Sequence, residues 1–262
     1  MRDLILQPTI ERRGGKVIPT HRWKRPPKAP EEVRRLINAR FFPQGSMEEA
    51  QRALNALAVR HGVPGWVLGA RRLPLTLRGL GDHVLWKVLA ETPIVIGGSH
   101  PHYNHRSRRI YIPSGVPILT RILDGIKTPD EWIRKHIPYA AGREGELVVL
   151  HEAMHALDYH LGGGESLWAL RVKWKPSRRL ARNVHKRWEY AAVDPREVPV
   201  LAVEMAVYSP EDYEVFRRLA LEEGVDLEGL MALHYRIDMS KIKGAYDEER
   251  VRARVCAIRG EC

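Results

Sequence analysis

At 262 residues, 44% hydrophobic and 29% charged, the chain can bury a sizeable core and fits one large domain or one domain with appendages. No segment approaches roughly 18 uninterrupted apolar residues, which excludes a membrane-spanning helix of the usual kind. A formal charge of +11, with 32 Arg and 11 Lys, implies attraction to an acidic partner: nucleic acid, an anionic surface or an acidic polypeptide.

The first 30 residues contain HRWKRPPKAP, rich in Arg, Lys and Pro without apolar periodicity, and read as an extended basic arm. Residues 21–28 of this arm are either a solvated tail or a contact to nucleic acid or another acidic partner. MRDLILQPTIERRGG has too short an apolar run for a signal peptide, so the cytoplasm is the default expectation, with export by another route left open.

From Pro30 the pattern turns helical. PEEVRRLINARFF opens with Pro and two acids, MEEAQRALNALAVRHG carries apolar residues at helical spacing up to Gly62, and GDHVLWKVLAE is a third amphipathic stretch. PIVIGG and RRIYIPSG are short, β-branched and bounded by Gly or Pro, as strands are. Between them SHPHYNHRS is polar enough for a hairpin turn; its His100, His102 and His105 lack acidic neighbours and read as loop histidines rather than metal ligands.

LVVLHEAMHALDYHLGGG, residues 147–164, carries the chemistry. On a helix, positions four apart share a face, so His151 and His155 can offer two imidazoles to one divalent ion. Glu152 lies about 100° round the helix and flanks that ion instead of ligating it. This is the arrangement of an HExxH metallopeptidase, in which Zn2+ polarises the scissile carbonyl and acidifies water while the glutamate takes the water's proton. The helix is otherwise nearly all apolar, and a buried helix keeping two histidines and a carboxylate unused would carry an unexplained desolvation cost. Gly162, Gly163 and Gly164 should end it. Asp158, seven residues past His151, reads as a buried acceptor that orients a ligating imidazole, whereas His160 points to the opposite side.

The next segment, 165–190, interleaves eight Lys/Arg with Trp168, Trp174 and Trp188. Its basic stretch 171–187 is either a solvated face with tryptophans turned inward or a nucleic-acid surface working by phosphate contact and stacking.

A catalytic zinc takes three protein ligands and keeps one open position. Leu161 stands where a metzincin would place its third histidine, so the ligand must come from further along the chain. DPREVPVLAVEMAVYSPEDYEVF supplies two candidates on a helix expected to be capped by Asp194 and to start at Pro195. Glu197 also has a structural account, since its spacing from Asp194 is that of a capping box, and Glu204 sits deep in an apolar helix where an unpaired carboxylate is expensive. Residue physics leaves the choice between them open. The two cysteines, Cys256 and Cys262, lie too near the C-terminus to staple the fold and form no thiolate zinc motif. Only four Asn and three Gln, with abundant charge, match heat-adapted (thermophile) proteins, although a GC-rich genome would also favour Arg.

HEAMHALD, then Tyr190, then Glu197 in a DPxE context before the apolar AVEMAVYSPEDY, resembles the catalytic domain of the anthrax toxin lethal factor family, HExxH zinc peptidases that include the Pro-Pro endopeptidases. The resemblance covers roughly residues 90–220. It implies that His151, His155 and Glu197 hold the zinc, that Glu152 is the catalytic base, and that the Tyr190 hydroxyl stabilises the oxyanion. Asp158 matches an acidic position of the family, and RRIYIPSG takes the place of an edge strand that aligns substrate. The sequence departs from the pattern at Leu201, where a further glutamate is usual, and at Pro199, which falls in the first turns of the ligand helix.

The resulting expectation is an α+β fold: a mostly helical, gluzincin-type metallopeptidase with a small β-sheet before the active-site helix. The chain divides into a basic arm (1–30), a helical part (31–90), a catalytic core (91–235) and a C-terminal helical tail (236–262). Its expected activity is zinc-dependent hydrolysis of a protein or peptide substrate. The alternatives are a nucleic-acid-associated protein whose zinc site acts on bound proteins, and a structural or assembly protein that keeps zinc for stability.

Overall fold

The computed structural model describes residues 10–13, 16–19, 44–61, 70–97, 100–112 and 144–262. The basic segment 21–30, the expected helix that begins at Pro30, Gly62 and the last three residues of RRIYIPSG lie outside the described residues. Within the expected extended arm, β1 (Ile10–Arg13) and β2 (Lys16–Pro19) pair as an antiparallel hairpin.

The described residues are mostly helical, with a three-stranded sheet ahead of the HExxH helix. Among the described residues three α-helices precede it: α1 (Met47–His61), the single turn α2 (Leu73–Thr76) and α3 (Val84–Glu91). His83 caps α3, its Nδ1 accepting from the Leu85 N–H at 3.0 Å while Nε2 meets the Tyr235 carbonyl at 2.7 Å. That pairing fixes one neutral tautomer, with Nδ1 bare and Nε2 carrying the proton. Burial accordingly holds the His83 imidazole below its ordinary value.

The sheet differs from the expected one. β3 (Ile94–Ile96), β4 (His102–Asn104) and β5 (Arg109–Ile112) lie in the order β3-β5-β4. PIVIGG and RRIYIPSG do pair, but in parallel, so no hairpin joins them. The segment SHPHYNHRS supplies a third strand, β4, antiparallel to β5 with His102 opposite Tyr111 and Asn104 opposite Arg109. Consequently RRIYIPSG is the central strand, and β4 is the edge among the described residues. Ile110 and Ile112 of β5 are buried and alternate with Arg109 and Tyr111, the period of a half-buried strand. β4 is three residues long and rich in His and Asn, too short and too polar for that period to show.

The HExxH helix, α4 (Glu144–Leu161), runs between α3 and a second apolar helix, α8, with β4 and β5 alongside. Val149, Leu150, Ala153, Met154 and Leu157 of α4 are fully buried. Three glycines stop it as anticipated: Gly163 and Gly164 adopt φ of 71° and 110°, and the Gly164 N–H returns to the Tyr159 carbonyl. Short helices α5 (Leu167–Arg171), α6 (Arg178–Val184) and α7 (Trp188–Val193) then lead to α8 (Glu197–Tyr208), α9 (Pro210–Glu222), α10 (Leu227–Tyr235) and α11 (Glu248–Arg259).

α8 begins two residues later than anticipated. Residues 194–196 form a turn, and the Asp194 carboxylate is taken by Arg196, so Asp194 and Glu197 form no capping box. Pro199 falls in the first turn, where a missing N–H leaves no intrahelical bond unmade, and the helix runs on unbroken. Val198 and residues 200–203 are fully buried, as in a helix apolar on every side.

One continuous core takes side chains from Ala50 of α1 to Val255 of α11. The described residues on either side of 90/91 share that core, and the C-terminal helix packs on α9, with Arg254 reaching the Val184 carbonyl and the Asp212 carboxylate. Cys256 and Cys262 join as a disulfide within this last element, closing a loop too short to tie distant parts together.

Candidate metal centre

His151 and His155, one turn apart on α4, bring their rings to a centroid distance of 4.9 Å in an edge-on arrangement. The Glu197 carboxylate projects from the first residue of α8 between them, 3.5 Å from His151 Nε2 and 3.4 Å from His155 Nε2. One ligand atom from each of the three lies within 4.8 Å of the others, the spacing of a set that could surround one metal ion. Burial pushes the Glu197 carboxyl up, but His155 beside it and the charges of His151 and Arg187 outweigh this and hold it at about 2.

Glu204 stands on the other side of the His151 ring. Its Oε2 lies 2.8 Å from His151 Nδ1, and Arg187 grips the same carboxylate through Nε at 2.8 Å and Nη2 at 3.0 Å. Burial opposes ionisation of Glu204, yet the Arg187 charge and the His151 bond keep it ionised, with a value of about 2. An ionised carboxylate only accepts hydrogen bonds, so His151 Nδ1 carries a proton toward Glu204, and Nε2 is the nitrogen that faces Glu197. The imidazole thus lies between the two glutamates that residue physics left open as ligands. Glu197 is on the side of the two Nε2 atoms, and Glu204 orients the His151 ring. Burial alone would lower His151, but the carboxylates of Glu204, Glu197 and Glu152 together raise it.

The orienting role anticipated for Asp158 falls to Glu204 instead. Seven residues along a helix are about 10 Å, too far for Asp158 to reach His151. Asp158 is fully buried and accepts from the Trp168 N–H and the Tyr235 hydroxyl, tying α4 to α5 and α10.

Glu152 is 3% exposed, lines the same cavity as the two histidines, and its Oε2 has no hydrogen-bond partner. A buried carboxylate oxygen left unpartnered is costly, and such atoms cluster where chemistry needs them. The cavity has a volume of about 230 Å³. It is lined by Pro101, His102, Tyr103 and His105 of the β4 region, by His151, Glu152, His155 and Tyr159 of α4, and by Asp194, Arg196 and Glu197 at the start of α8. The donor set of two imidazoles and a carboxylate, with an unpartnered carboxylate oxygen beside an open cavity, could hold a divalent metal ion.

Tyr190 does not line this cavity. It is 52% exposed on α7, and its ring lies 5.7 Å from the Arg187 guanidinium. Arg187 went unread as a site residue because it belongs to the basic stretch 171–187. In the wider segment 165–190, Trp168 and Trp188 are fully buried, Trp188 stacked on Phe216, and half-buried Trp174 packs against the core, so the three turn to the core. Seven of the eight Lys and Arg in 171–187 face solvent, and Arg187 alone turns inward, to Glu204. No signal short of its three-dimensional neighbours separates Arg187 from the rest. No family model, curated protein or solved structure matches the chain.

Proposed function

We propose that the protein is a zinc-dependent endopeptidase of gluzincin type, with His151, His155 and Glu197 as the metal ligands and Glu152 as the general base. The observation that carries this reading is the convergence of those three side chains in the lining of an open cavity with the unpartnered Glu152 oxygen beside them. Zinc in such a site acts as a Lewis acid toward a carbonyl and makes water a better nucleophile at neutral pH.

The chain's own residues do the rest. Glu204 and Arg187 fix the tautomer and plane of His151. Glu152 accepts a proton from the attacking water on its free oxygen and returns it to the leaving amine, one carboxylate serving as base and then acid. Tyr190 is assigned the hydrogen bond to the carbonyl oxygen as charge develops there, and the family resemblance is its support. β4, the edge strand beside the cavity, offers free backbone groups along which an extended peptide can lie.

Glu152→Gln should keep full zinc occupancy by mass spectrometry and lose cleavage of a denatured-protein substrate. Retained cleavage, or loss of the metal, counts against the role. Glu197→Ala should empty the site. Chelation should stop cleavage while leaving most helical circular dichroism, which separates an enzyme from a zinc-stabilised structural protein.

A further inference from the structure

The turn between β4 and β5 carries Arg106, Arg108 and Arg109, all exposed, and none forms an ion pair among the described residues. An exposed arginine run on a basic protein is ordinary, but three observations set this one apart. The turn is built, not loose: Asn104 Oδ1 accepts from the Arg106 and Ser107 N–H groups at 3.1 and 3.0 Å. Arg108 holds a φ of 52°, a left-handed conformation in which Gly or Asn would be less strained.

The third observation is location. The hairpin leans over α4, where His105 stacks on Tyr159 with centroids 5.1 Å apart and Tyr103 packs against the same ring at 5.8 Å. His102, Tyr103 and His105 line the candidate cavity. Arg106 directly follows His105 in the chain, and Arg109 pairs with Asn104 beside Tyr103, so the turn continues from residues that line the cavity. Arg196 lines it too, half-exposed and held by Asp194 and by the Tyr159 hydroxyl. Arginines therefore stand beside a site whose lining includes the carboxylates of Glu152 and Glu197.

We infer that the β4–β5 turn is a subsite for acidic side chains, selecting polypeptide substrates that carry Asp or Glu beside the segment held over the metal centre. This rests on the peptidase reading for the bound segment. A peptide lying along β4 runs toward the turn, so a residue just past the end of β4 comes beside the arginines while the preceding backbone stays at the cavity. A nucleic acid suits the place less well. Its phosphates would run across those carboxylates, and the nearby rings are stacked on one another instead of being open to bases.

The test is binding, so that it reads out independently of cleavage. Three fluorescein-labelled 12-residue peptides are used, identical except that four positions are Glu, Gln or Lys, together with a 12-nucleotide single-stranded DNA. Each is titrated by fluorescence anisotropy into the zinc-loaded full chain and into Arg106→Ser/Arg108→Asn/Arg109→Thr. The expected result is that the Glu peptide binds the parent chain roughly tenfold or more tighter than the Gln peptide at low salt. That gap should close in the triple variant, and also in the parent at high salt, while zinc content and circular dichroism stay unchanged. Equal affinity for Glu and Gln peptides, a preference that survives in the variant, or no peptide binding at all overturns the inference. DNA binding tighter than the Glu peptide and lost in the variant would make the turn a nucleic-acid contact, and overturns it too. Tight, arginine-dependent binding of a Glu peptide that is never cleaved would instead leave the subsite standing and remove the peptidase reading.

Discussion

Replacing Arg187 by Met tests the electrostatic account of the metal centre. Arg187 is almost enclosed, its side chain 12% exposed, and Glu204 is completely so. The two charged hydrogen bonds between them hold a carboxylate in an apolar helix, and Met keeps the stem volume while removing both. Breaking a buried ion pair by deleting one partner costs about 3–5 kcal/mol, since it strands the other charge. Here Glu204 keeps its bond to His151 Nδ1, worth about 1.5–3 kcal/mol when one partner is charged, so a net loss of about 1–3 kcal/mol is expected. For a chain of this size that is a fall of roughly 2–12 °C in the unfolding midpoint, read by circular dichroism of the metal-free protein. Arg187→Met/Glu204→Leu removes both charges and should recover most of that stability. It should still weaken zinc affinity about 10- to 100-fold, because His151 has lost the acceptor that orients it. Arg187→Lys restores the charge without the two-pronged grip and should fall between. A single Met variant within about 0.5 kcal/mol of the parent, or a double variant with undiminished zinc affinity, would refute the reasoning.

Other consequences are checked by similar means. His83 is held below its ordinary value of 6.5, so the unfolded chain takes up a proton first as pH falls. The His83 contribution is thus complete above about pH 6.5 and is lost as pH drops from there through the lower folded value; chemical denaturation at a series of pH values should show the loss, and His83→Asn should flatten it. Tyr190→Phe should bind zinc like the parent and lower kcat about 10²- to 10³-fold if its hydroxyl meets the oxyanion, and an unchanged kcat would free Tyr190 from that role. Gly162→Ala places a methyl 2.0 Å from the Glu165 carbonyl oxygen, and a destabilisation of roughly 2 kcal/mol should appear in urea titration.

The parts of the site that were legible in the sequence were those whose logic is local. The positions of His151, Glu152 and His155 follow from helical spacing within one apolar segment, and the glycines that end α4 follow from backbone stereochemistry. What escaped had its cause elsewhere in the chain. β4 is a strand because β5 lies beside it, and its own His-Tyr-Asn has no period to announce that. The parallel pairing of β3 with β5 depends on β4 occupying the hairpin side of β5, which no property of PIVIGG predicts. Asp158 shares a face of α4 with His151, but angular position says nothing of the partners that claim its Oδ1, and these come from α5 and α10. Arg187 looks like its solvated neighbours in composition, and only its encounter with a carboxylate 17 residues away distinguishes it.

The same encounter accounts for the departure at Leu201. Positions 197, 201 and 204 lie within about 60° of one another around α8, so a carboxylate at either later position can face α4. At 201 it would sit about 6 Å along the axis from Glu197; at 204 it sits about 10 Å along, deeper in the apolar part of the helix. The His151 ring spans that interval, with Nε2 toward Glu197 and Nδ1 toward Glu204. Greater depth gives the orienting carboxylate a drier setting and a stronger hold on the imidazole, at the cost of a buried charge that a single neutral histidine cannot compensate. Arg187 supplies the missing charge. Glu204 and Arg187 are therefore one device, and a homologous chain with Leu at the position of Glu204 should carry an uncharged residue at the position of Arg187.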